Sequence, residues 1–132
     1  MHFKQITETC LYVKDLTLTE DFYHNKLGLP IISTVANRHI FFRAGTSVLL
    51  CFIAEVTRQE ETLPPHYGSG KIHMAFEANE GDYDAWKDKV SNAGIHITHE
   101  QVWPWSHNRK SFYFEDPDGH VLEIIESNLW NS

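Results

Sequence analysis

Apolar and polar residues change their period along this chain in one order, and then do so again. Ile6 to Val13 is a short extended run with one acid, Glu8, in its interior. Leu16, Leu18, Phe22, Tyr23 and Leu27 then recur at helical spacing, with Asp15 as N-cap and Gly28 as stop. This predicts a helix over Leu16 to Lys26. Three extended segments follow at Pro30 to Val35, His39 to Arg43 and Val48 to Ala54, separated by turns at Ala36-Asn37 and Ala44-Gly45-Thr46. Glu55 to Gly70 holds two prolines and two glycines among charges and shows no apolar periodicity, so it reads as a loop. Beyond it, Lys71 to Ala78 is extended with His73 inside, and Tyr83, Trp86, Val90 and Ala93 form the stripe of a second helix between Asp82 and Gly94. Ile95 to Val102, Ser111 to Glu115 and His120 to Ile125 complete the strands, with a loop at Pro104 to Asn108. In Asp116-Pro117-Asp118-Gly119, Pro fixes one φ and Gly accepts a positive one, which makes this stretch a hairpin tip.

Each half therefore reads strand, helix, three strands. Module 1 covers residues 1–56, a loop covers 57–69 and module 2 covers 70–128, within a single domain of residues 1–132. The implied fold class is α+β: two βαβββ modules forming a curved, partly closed mixed sheet around a cavity, with the helices outside. Laid one over the other, the modules pair Glu8 with His73 and Leu50 with Glu123.

Glu123 sits among Val121, Leu122, Ile124 and Ile125, in a strand apolar on both faces. Burying an ionised carboxylate without a partner costs several kcal/mol or more, so it must be protonated, paired with a cation or bound to a metal. Side chains alternate along strands, so Glu8 shares a face with Cys10 and Tyr12, and His73 with Ala75 and Glu77. If those strands line one cavity, Glu8, His73 and Glu123 converge. Two carboxylates and an imidazole suit manganese, iron, nickel, cobalt or zinc with positions open to water or substrate. Each residue also has a plainer reading: His73 as a hydrogen-bonded strand histidine, Glu8 as an exposed edge residue, Glu123 at a wet barrel mouth. Counting back across the hairpin tip places Phe112 opposite Glu123, as a cavity-lining contact for substrate.

Charge and composition narrow the partners. Eighteen acidic residues against eleven basic give a net charge of −7, which disfavours nucleic acid or an anionic membrane. Arg109 and Lys110 remain as a local basic patch for an anionic small molecule. The two cysteines, Cys10 and Cys51, form no disulfide framework and read as reduced, buried thiols; with no signal-peptide pattern or long apolar run, a cytoplasmic location is expected. Of nine histidines, His24, His39, His66, His96, His99, His107 and His120 fall in polar or turn contexts and are expected at the surface.

Val13-Lys14-Asp15-Leu16, Phe22-Tyr23 and Leu27-Gly28-Leu29 after the first strand, His73-Met74-Ala75-Phe76, and Ser111-Phe112-Tyr113-Phe114 leading to Asp116-Pro117-Asp118-Gly119 and Glu123 form an ordered set. This set resembles the vicinal oxygen chelate superfamily of glyoxalases, bleomycin-resistance proteins and extradiol dioxygenases. The resemblance implies that His73 and Glu123 are metal ligands and that Glu8 stands where the family usually has histidine or glutamine. Leu50 stands where glyoxalase I enzymes have a ligating, proton-transferring glutamate, which argues against glyoxalase I activity and leaves Leu50 as a substrate contact. The fosfomycin-modifying enzymes and extradiol dioxygenases work without that fourth ligand. The expected protein is a divalent-metal-dependent enzyme acting on a small molecule with vicinal oxygens, through lyase, isomerase, thiol-transfer or dioxygenase chemistry. Glu8 is then a candidate general base, Tyr12 a candidate donor to substrate, and His66, Arg109 and Lys110 candidate substrate contacts, together with Trp103, Trp105 and His107 near the mouth. Pairing of chains in a homodimer is likewise implied by the resemblance alone. The alternatives are a metal-free, drug-sequestering protein of the bleomycin-resistance type and a purely structural dimer.

Overall fold

The structure, a computed structural model, describes residues 1–131. It contains two compact units, Met1–Gly70 and the chain from Lys71 onward. In the first, strand β1 (Glu8–Val13) leads into helix α1 (Leu16–Glu20), which continues as a π-helix over Asp21–Lys26, and then into β2 (Ile31–Val35), β3 (His39–Ala44) and β4 (Ser47–Ile53). A one-turn helix, α2 (Ala54–Thr57), ends the series. The four strands form one mixed sheet in the order β1-β4-β3-β2, parallel only between β1 and β4. The second unit repeats the plan with β5 (His73–Glu77), α3 (Tyr83–Asn92), β6 (His99–Trp103), β7 (Arg109–Glu115) and β8 (Val121–Ile125), in the order β5-β8-β7-β6. The α+β class and the doubled βαβββ order stand, as two four-stranded sheets.

Each unit has its core on one face of its sheet. In the first, Leu11, Val13, Ile40, Phe42, Leu49 and Cys51 are buried together with Phe22, Tyr23 and Leu27 of the helix. In the second, Phe112, Phe114, Leu122 and Ile124 are buried along with Tyr83 and Val90 of α3. Asp15 caps α1 as the sequence predicts, accepting from the backbone N–H groups of Thr17 and Leu18 at 2.8 and 3.1 Å. Asp82 holds the corresponding position in front of α3 without a side-chain capping bond.

Several elements differ from the sequence expectation. The first helix widens into π geometry where Leu27 N–H donates to Phe22 O, five residues back. Phe22 and Leu27, five apart and both buried, keep their face through that widening. Helix α2 takes the last residue of the predicted fourth strand and the first three of the predicted loop, because four residues are too few to show a period. Strand β6 begins at His99 and not at Ile95, since the Ile95 N–H goes to Val90 O and continues the α3 terminus. Two histidines expected at the surface are buried, His39 at 6 % and His120 at 1 % exposure. His120 accepts the Ile72 N–H at Nδ1, 3.0 Å away, which fixes it as a neutral imidazole with its proton on Nε2.

Candidate metal centre

Pairing in the second sheet places Ala75, Glu123, Tyr113 and His99 side by side across four strands. His73, two residues before Ala75, shares their face, the one opposite α3. His73 Nδ1 lies 2.9 Å from the backbone oxygen of Val121. A carbonyl only accepts, so Nδ1 carries a proton and Nε2 is left to face outward. Nε2 stands 3.2 Å from Oε1 of Glu123. Two electron-pair donors at that separation repel each other unless a proton or a cation serves both. A histidine whose far nitrogen is fixed by a backbone carbonyl is also the arrangement that orients metal ligands. The residues present therefore fit a divalent metal, which His73 and Glu123 would hold. Glu123 is nearly buried, its side chain 10 % exposed, whereas that of His73 is 52 % exposed. Within this unit the described residues add no third His, Cys, Asp or Glu to the pair.

Tyr113 is the neighbour that the sequence reading missed. It is paired with Glu123 in register, and burial first, then the charge of Glu123 and a hydrogen bond to it, push the phenol upward. Tyr113 is thus a neutral O–H donor at the carboxylate. Phe112 was expected in this place; instead it pairs with Ile124, is fully buried, and meets the Tyr83 ring edge-on at 5.5 Å. The hairpin loop is one residue longer than Asp116 to Gly119. His120 N–H bonds the Asp116 side chain at Oδ1, so the ladder starts at Glu115 and Val121. One residue of register moves every side chain to the other face. Lys110 alternates onto the same face as Phe112: its ammonium lies over the Tyr83 ring, 6.0 Å from the centroid, on the helix side. Arg109 lies on the site face, paired with Trp103.

The first unit holds the other predicted residues on the sheet face opposite its helix. Glu8 is exposed at the start of β1, and Cys10, Tyr12, Leu50 and Phe52 follow it on that face by register. Burial, then the charge of Glu8, raise the Cys10 thiol, so it stays protonated at neutral pH. Leu50 is 7 % exposed between Cys10 and Phe41. The segment after α2 lies against this face. His66 sits 5.2 Å from the Phe52 ring, its carbonyl accepts from Thr57 Oγ1, and Gly68 approaches Tyr12 so closely that a Cβ there would lie 2.7 Å from Cε2.

His39 is buried on the same face, stacked on Phe41 at 3.9 Å, with Ser33 Oγ 3.1 Å from Nε2 and Arg38 at Nδ1. Burial and then Arg38 hold its pKa below the ordinary 6.5, with Glu60 pulling the other way. The unfolded chain thus takes up a proton that the folded chain resists. Stability is complete above pH 6.5 and declines as pH falls below that value. Melting His39→Gln beside the parent at pH 7.5 and 5.5 should show a smaller acid-induced drop in Tm for the variant; equal drops would remove His39 from this account.

Over residues 5–124 the sequence matches the Glyoxalase/Bleomycin resistance protein/Dioxygenase superfamily. The chain belongs to that superfamily. It is 31% identical over 129 residues to glutathione transferase FosA of Serratia marcescens, covering 96% of this chain and 83% of the relative. It is 25% identical over 130 residues to metallothiol transferase FosB of Staphylococcus epidermidis, covering 98% and 86%. A lactoylglutathione lyase structure from Agrobacterium tumefaciens matches with a TM-score of 0.90 and 30% identity over 98% of each chain. These relatives are enzymes, and this glyoxalase-superfamily chain is read as one too. No helix among the described residues is long and apolar enough to cross a membrane.

Proposed function

We propose that the protein is a divalent-metal-dependent enzyme acting on a small oxygen-bearing substrate, with His73 and Glu123 as the ligands that its second unit supplies. The observation that supports this best is the 3.2 Å approach of His73 Nε2 to Glu123 Oε1 while Nδ1 is committed to Val121 O. A metal held there supplies Lewis acidity, stabilising negative charge as it develops on a substrate oxygen. Tyr113 holds the Glu123 carboxylate and has its hydroxyl proton on the same face. Tyr12 and Leu50 belong to the first unit's face, Leu50 as an apolar contact.

Thiol transfer is the reaction to test first, given the two transferase relatives. In it, sulfur forms a bond to an electrophilic carbon, the carbon–oxygen bond breaks, and the released oxygen takes up the proton that the thiol gave up. The lyase likeness offers isomerisation as a second reading. Leu50 counts against it, because a hydrocarbon side chain cannot relay a proton. The proposal includes a cytoplasmic homodimer.

The test is to strip metal with a chelator, measure rebinding of manganese, nickel and zinc by calorimetry, and follow glutathione consumption with a panel of small epoxides. Metal-dependent loss of thiol is the expected result. A protein that binds none of these ions would overturn the enzyme reading.

A further inference from the structure

Three of the four tryptophans form a ladder in the second unit that the metal centre does not use. Trp103 ends β6 on the face that carries Tyr113 and Glu123, and its Nε1–H donates to Ser111 Oγ at 3.0 Å. Ser111 is two residues from Tyr113 on the same strand face. From Trp103 the ladder runs outward to Trp105, with centroids 5.9 Å apart, and on to Trp130 at 5.1 Å. Mutual packing leaves much of this surface uncovered: Trp105 is 53% exposed and Trp130 75%. Indoles are costly to leave in water, and a cluster of them beside a site is a ready surface for a flat ligand.

Arg109 decides the charge of that ligand. It pairs with Trp103 in register, and its Nη1 reaches Ser106 O at 3.3 Å and Ser106 Oγ at 3.4 Å. None of the ion pairs among the described residues uses it. A guanidinium has five N–H donors, so most of its hydrogen-bonding capacity remains for an anion. Trp103 lies four residues along β6 from His99, the member of the Glu123 row, which is about 13 Å at about 3.3 Å per residue.

We propose that Trp103, Trp105, Trp130 and Arg109 form a stacking subsite for a planar aromatic group bearing a carboxylate. Its place in turnover rests on the proposed metal site, to which it adds the substrate class: a molecule long enough to set its oxygens at His73 and Glu123 and its flat, anionic end on the ladder. Binding to the ladder itself does not require metal.

The test uses metal-stripped full-length protein and its His73→Ala variant, titrated with 2-naphthoate, neutral 2-naphthalenemethanol and non-planar cyclohexanecarboxylate. Tryptophan fluorescence reports contact with the ladder, and calorimetry gives affinity independently of the fluorophores. Trp86→Phe removes the one tryptophan outside the ladder. Saturable quenching by naphthoate, retained in Trp86→Phe and His73→Ala, is expected. Affinity should be at least tenfold weaker in Trp105→Ala, and Arg109→Gln should abolish the preference for naphthoate over the neutral ring. Unchanged naphthoate affinity in both Trp105→Ala and Trp130→Ala overturns the subsite, as does equal binding of cyclohexanecarboxylate. Failure of the parent protein to bind manganese, nickel or zinc, with naphthoate binding intact, sinks the metal centre alone, and metal binding by the parent without naphthoate binding sinks the subsite alone.

Discussion

Glu123→Gln is expected to lower divalent-metal affinity at least about 100-fold while leaving the fold intact. Substitutions even one shell out from a metal cost about 10–100-fold in affinity, and Glu123 is proposed to touch the ion itself. Glutamine keeps the volume and can still accept from Tyr113, but it removes the negative charge that faces His73 Nε2 at 3.2 Å. His73→Ala should do the same by removing the nitrogen donor. Calorimetry with manganese, nickel and zinc on chelator-treated protein provides the measurement, with circular dichroism as the fold control. If Glu123→Gln and His73→Ala both bind metal as tightly as the parent, the centre lies elsewhere. Tyr113→Phe separates a ligand from its support: metal still binds, more weakly, because the carboxylate loses its positioning hydrogen bond.

The largest stability effect is expected at Phe112. It is fully buried against α3, and truncation to alanine leaves a cavity that costs about 3–5 kcal/mol. Tyr113→Phe, one residue along but on the other face, should cost about 1 kcal/mol, since only a hydrogen bond is lost. Denaturant melts of the two variants measure the contrast. It also tests the hairpin register. Were Phe112 opposite Glu123, its truncation would leave the α3 core intact, cost well under about 3 kcal/mol and disturb metal binding.

The strands and helices were legible because each carries its own period. Asp15 and Gly28 marked the first helix's limits, and the tip at Asp116 to Gly119 marked a chain reversal. His73 and Glu123 were legible as candidates because the repeat sets them over Glu8 and Leu50 at equivalent strand positions, but their convergence was conditional on the strands lining one cavity. The repeat gave no count of the hairpin loop. That count depends on Asp116, whose carboxylate accepts the N–H of both Asp118 and His120 while its own N–H donates to His120 O, which sets Asp116 opposite His120 and Glu115 opposite Val121. From this register follows the exchange of Phe112 for Tyr113 beside Glu123.

Histidine burial was hidden for a similar reason. His39 and His120 stand among turn-like residues, and only their partners keep them inside: Ser33 and Arg38 for the first, the Ile72 N–H for the second. A polar residue can be buried wherever its hydrogen bonds are met, and those partners lie up to 48 residues away in sequence.

The amino-acid sequence by itself determined the α+β class, the doubled module and the kinds of residue available as ligands, because periodicity and turn chemistry are local. Tertiary structure alone decided which phenyl ring faces the carboxylate, which nitrogen of His73 is left for a metal, and how three tryptophans and Arg109 gather at one end of the second sheet. Those outcomes depend on register and on hydrogen bonds between distant strands, where a shift of one residue reverses the answer.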